Sequence, residues 1–289
     1  MGIILVDFYG VIIKFIGNSY STPQLAFFRN FFALIPIIFL FLITRDIKNI
    51  FVDVSKKFLF LCFLRGISFV LMQIFYYISI INMNFATATT LTFSSPIFIV
   101  VLSMLVLKEK IGLFRWSAIF IGFGGVLLIM NPTSELFSYI SILPLLAAFC
   151  WAISNIVLKF IPENISSVKI NFYSINFSYL GSLIILFFSS DFSSVENSFH
   201  WLLIILIGIL GGVASILFSF AYRIISPSTL APFEYLGIPS SFILGWIFFY
   251  EAPIEQLFPG VLGIVAAGFI IIWREKKLSI GKKISNKIH

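Results

Sequence analysis

The sequence predicts an all-α integral membrane protein of ten transmembrane helices, arranged as two inverted five-helix repeats. Three observations carry that expectation. The chain is 60% hydrophobic and only 11% charged, its basic residues cluster in every second loop, and one set of residues recurs about 143 positions downstream.

Composition sets the class. A mean hydropathy of +1.08 over 289 residues exceeds what an ordinary soluble fold could shield from solvent. The net charge of +7 would suit nucleic acid, but the basic residues lie in short loops and the C-terminal tail between apolar runs. There they bear on orientation, and no nucleic-acid partner is expected. Cys62 and Cys150 both fall inside apolar runs and read as small buried hydrophobes, not as a disulfide or metal pair. No metal or cofactor is expected.

A bilayer core about 30 Å thick takes about 20 apolar residues per helix. Cutting the chain at its polar, Gly and Pro clusters gives spans at 2 to 17, 26 to 43, 58 to 81, 86 to 107, 113 to 130, 140 to 160, 170 to 188, 199 to 223, 229 to 250 and 254 to 273. The first is about four residues short and carries Asp7 and Lys14. It lacks the basic n-region and small-residue cleavage site of a signal peptide; a start codon assigned too far downstream would explain its length.

The loops after spans 2, 4, 6 and 8, with the tail, hold sixteen of the nineteen Lys and Arg residues, including Arg45, Lys56, Lys108, Lys159, Lys169, Arg223 and Lys276. The intervening loops hold none and carry Glu135, Asp191, Glu196, Glu251 and Glu255. An even span count with both termini in the cytoplasm satisfies every loop. The expected location is a bacterial cytoplasmic (inner) membrane.

At an offset of 145, Lys14 meets Lys159, Gly66 meets Gly211, Tyr77 meets Tyr222 and Ala86 meets Ala231; the offset slips to 143 at Pro96 and Pro239 and to 142 at Glu109 and Glu251. The repeats are expected at 1 to 132 and 138 to 275, followed by a basic cytoplasmic tail at 276 to 289. Five helices per unit is an odd number, so the copies must be inverted, as in secondary transporters with a central substrate site.

The motifs QLAFFRN at 24 to 30, LRG at 64 to 66 and the run 93 to 132, with LAPFEY at 230 to 235 and the run 248 to 268, resemble the drug/metabolite transporter superfamily. The resemblance is to its EamA-type ten-helix members, in particular the branch with S-adenosylmethionine and riboflavin transporters. It implies a small polar or amphipathic metabolite as substrate, and the lipid bilayer as the other partner; a homodimer is compatible with it.

Charges inside a span are costly, about 2.5 to 3.5 kcal/mol each on insertion scales, so each is a candidate for the site. Asp7 and Lys14 lie two turns apart on one helix face. Lys14 is expected near Arg29, forming a positive cluster for a carboxylate or phosphate; the plainer reading is that both reach the headgroups. Arg65 is expected to face the bundle and meet Asp7 or Glu234, either at the substrate or as a buried tie. Gln73, with Tyr76 and Tyr77, would line a cavity or bond a neighbouring helix. Glu234 and Tyr235 open span 9 behind Pro232, where the helix dipole favours an acid; Glu234 is the best carboxylate for a cationic group or a proton. Pro96 and Pro239 mark kinks. Glu109 and Glu251 read as hairpin locks, and the glycines around 122 to 125, 208 to 212 and 260 to 268 as close-packed scaffold.

The function these readings support is secondary active transport of a small organic metabolite by alternating access. A passive channel is the first alternative, although no ring of charge or filter loop is present. A membrane enzyme is the second; neither HExxH nor GxSxG occurs, and His200 and His289 are the only histidines.

Overall fold

The computed structural model describes residues 1–44, 50–52, 54–109, 112–130, 139–251, 258–263 and 265–270. The boundary between the repeats at 131 to 138 and the basic tail lie outside them. All regular elements among the described residues are helical. They are α1 (Gly2–Ile16), α2 (Thr22–Phe32), α3 (Leu34–Thr44), α4 (Lys56–Asn82), α5 (Phe85–Thr92), α6 (Ser95–Leu107), α7 (Leu113–Met130), α8 (Leu143–Val157), α9 (Ser167–Ser189), α10 (Ser198–Ile224), α11 (Pro227–Leu230) and α12 (Gly237–Phe249). An apolar helix, Gly260–Ile270, follows.

Helix starts follow local chemistry. Ser55, Ser166 and Asn197 precede α4, α9 and α10, and each side chain accepts a backbone N–H of the first turn. Six helical runs are long and apolar enough to cross a membrane, among them Thr22–Thr44 and Phe85–Leu107, each built from two of the helices named above. Phe39, Ile184 and Trp246 point outward, as a lipid-facing surface allows.

The halves interleave. The first helix of each packs on the third span of the other, α1 on α10 and α8 on α4; α2 packs on α9, and α5 on α12. Loops gather alternately at two ends. At one, Tyr20 meets His200 at 2.7 Å and Gln24 exchanges hydrogen bonds with Ser193. At the other, Lys169 donates to the Val52 carbonyl and Arg223 to those of Pro162 and Glu163.

Glycines set the closest approaches. A Cβ on Gly66 would stand 2.6 Å from the Ser174 carbonyl oxygen, and one on its repeat mate Gly211 would stand 2.5 Å from Arg29 Nε. Ser174 is itself the repeat mate of Arg29, so one contact occurs twice. Gly208 would meet Phe32 Cβ at 2.2 Å, whereas Gly124 has nothing within 4 Å, so it is not close-packed as the sequence suggested. Gly208→Ala is therefore expected to lose about 1–3 kcal/mol to overpacking and to melt well below the parent protein in a thermal-shift assay. Gly124→Ala should match the parent; equal melting of the two variants would contradict this packing.

Candidate functional site

Both pseudo-equivalent spans are broken at their middles. Between α5 and α6 the helix lapses at Phe93 and Ser94, ahead of Pro96; between α11 and α12 it tightens into a 3-10 turn, Ala231–Leu236. Pro96 cannot donate to the preceding turn. Gly237 brings the two breaks together, since a Cβ there would lie 2.1 Å from the Phe93 ring. Next to them is a small, partly open cavity walled by Asp7, Tyr76, Thr89, Phe93, Trp151, Phe218 and Glu234 among others.

Glu234 is held by three donors: Tyr222 Oη at 2.6 Å and Trp151 Nε1 at 2.9 Å to Oε1, and Ser95 Oγ at 2.7 Å to Oε2. Its place in a 3-10 turn replaces the helix-dipole setting expected from the sequence. Asp7 accepts from Ser240 Oγ. Both carboxylates are buried, and neither has an ion-pair partner among the described residues.

The repeat explains an oddity nearby. Tyr222 finds Glu234, whereas the repeat mate of Glu234 is Thr89, whose hydroxyl bonds back to the carbonyls of Phe85 and Ala86. The Tyr77 hydroxyl is buried without a hydrogen-bond partner among the described residues. Tyr222→Phe is expected to cost about 1–3 kcal/mol by stripping a donor from a buried acid, while Tyr77→Phe should be neutral or stabilising. Denaturation of the two variants side by side checks this; equal losses would contradict it.

Other candidates sit behind the cavity wall or away from it. Arg29 is fully buried, donates to Asn30 Oδ1 and the Gly211 carbonyl, and lies over the rings of Phe69 and Tyr9 at 4.8 and 5.8 Å. Gln73 and Asn30 exchange amide hydrogen bonds. Arg65 meets neither acid. It donates to Asn171 Oδ1 and Ser219 Oγ, which are brought to it by α9, packed on both α4 and α10. Tyr235 packs in a separate apolar cluster against Gly268.

Lys14 does not join Arg29. It donates to Glu251 Oε1 at 2.6 Å and to the Met83 carbonyl, over the Phe249 ring. Glu251 also accepts the Phe85 amide at 2.6 Å, so the acid ending α12 caps the start of α5 in the other half. Reciprocally, Glu109 beyond α6 accepts from Ser228 in α11, and Lys159 donates to the Arg223 carbonyl. These acids are ties between halves, not locks within a hairpin.

Trp151, Phe218, Phe93, Ser240 and Tyr222 join the site although nothing in the sequence singles them out as ionisable groups in a span do. Only Tyr222 had a signal, as the mate of Tyr77.

The cavity lies among helices of which six runs are long and apolar enough to cross a membrane, and the family match makes the protein a transporter, not an enzyme. The chain matches the EamA-like transporter family model twice, at residues 2–131 and 138–273, and belongs to that family, within the drug/metabolite transporter superfamily. It is 28% identical to the S-adenosylmethionine uptake transporter of Rickettsia bellii over 95% of this chain and 91% of that one. It is 30% identical to the riboflavin transporter of Vibrio cholerae over 65% of this chain, and the match spans only 62% of that relative. A solved crystal structure aligns over 96% of this chain and 98% of its own at a TM-score of 0.65, with 15% identity, a likeness of fold alone.

Proposed function

We propose that this protein is a secondary active transporter that moves a small organic metabolite across the bacterial cytoplasmic membrane by alternating access, with both termini on the cytoplasmic side. The observation that supports it most is the central cavity between broken helices of opposite repeats, flanked by matching inter-half ties at both ends of the bundle. Ties of that kind can be released at one end while kept at the other. Asp7, Glu234 and Tyr76 touch the substrate in this reading, and Arg29, Arg65, Gln73 and Tyr77 hold the helices behind them. Lys14 closes one end, and Tyr235 supports the packing of α12. The full-length similarity to an S-adenosylmethionine uptake transporter supports a metabolite of that size. Counterflow in proteoliposomes tests the mechanism: unlabelled solute inside should accelerate entry of labelled solute. Uptake without such acceleration would indicate a passive pore.

A further inference from the structure

We propose that the cavity selects an organic cation bearing a flat ring, with Asp7 and Glu234 as its counter-charges. The inference rests on the transporter reading above and names the substrate class of the same site.

The ionisable side chains of the cavity wall are all acidic. Among the described residues that line it, Asp7 and Glu234 are the charged ones; no Lys or Arg is present. They come from opposite repeats, and their repeat mates, Ala152 and Thr89, are neutral. The three groups that bond Glu234 are neutral donors, which fix the direction of its oxygens and supply no positive charge. Asp7 has one such donor, Ser240. The Arg29 guanidinium lies over the ring of Tyr9, a lining residue, at 5.8 Å and is not itself in the wall. Arg65 is bound into a separate network with Asn171, Ser215 and Ser219.

An ionised group in the membrane interior is stable only when paired or wetted. Two carboxyl groups in the wall of one small cavity, with both Glu234 oxygens and one Asp7 oxygen oriented by neutral donors, make a site that a positive ligand completes. The remaining wall suits a ring-bearing cation. Tyr9, Tyr76, Phe93, Trp151 and Phe218 supply aromatic surface, and Trp151 and Phe218 meet edge to face at 4.9 Å. Aromatic faces attract cations and stack on planar groups. An anion would find two like charges and no donor cation.

Two pairs, each differing by one methyl group and the fixed positive charge it creates, serve as probes. S-adenosylmethionine carries a sulfonium that S-adenosylhomocysteine lacks, and 1-methylquinolinium carries the charge that quinoline lacks. Titration into the purified protein should show the cation of at least one pair binding tenfold or more tightly. In Glu234→Gln or Asp7→Asn that preference should fall below threefold. No preference in either pair, or one unchanged in both variants, would overturn the inference. The wild-type comparison stands even if a variant fails to fold. A carrier that shows counterflow for neutral or anionic solutes only would sink the cation selectivity and leave the transport mechanism. Cation-selective binding with no trans-acceleration would do the reverse.

Discussion

Glu251→Gln is expected to open one end of the bundle, raising thiol labelling at the start of α5 by tenfold or more. Glu251 joins three elements, taking Lys14 of α1 on one oxygen and the first amide of α5 on the other, from its position beyond α12. Glutamine keeps an acceptor there but loses the charge. The Lys14 and Glu251 side chains are 12% and 21% exposed, so the pair is neither a surface bridge nor a fully buried one. A loss of about 1–3 kcal/mol is expected from that intermediate setting, and about 1.4 kcal/mol is tenfold in population. The measurement is maleimide labelling of Thr87→Cys in a protein whose Cys62 and Cys150 are replaced. Unchanged labelling at normal yield would show that this tie does not hold the end shut.

Arg65→Ala should reduce transport below a tenth and lower the melting temperature, through lost helix ties and not through a lost substrate contact. Arg65 links α4 to Asn171 of α9 and Ser219 of α10, and Ser215 also donates to Asn171. Polar ties between membrane helices average about 0.6 kcal/mol and reach about 1.7, so two made by a buried guanidinium should total about 1–3 kcal/mol. Substrate affinity of the protein that remains folded should change less than threefold, since Arg65 is absent from the cavity wall. A tenfold fall in affinity with unchanged melting would put Arg65 in the substrate site.

Asp7 and Glu234 could be picked out in the sequence because a carboxylate inside an apolar run stands out against its neighbours. Trp151 and Phe218 could not, since aromatic residues are common in such a chain, with 37 Phe alone. Arg29 and Arg65 stood out equally as charges, but their distance from the cavity depends on which helix packs on each face. Glu109 and Glu251 are recognisable as paired positions, but each reads as a lock within its own hairpin, whereas each bonds to the other half.

The sequence by itself determined the membrane class, the alternation of loops, the duplicated design and the family. Each of these depends on length, sign of charge or order along the chain. Only the tertiary structure decided that the halves interleave, so that Glu251 reaches Phe85 and Gly66 reaches Ser174. The reason is physical. In a bilayer both the lipid face and the protein face of a helix are apolar, so hydrophobic pattern says little about its rotation or its partner. Close packing at glycines and a few hydrogen bonds settle both, and with them which acids face the cavity.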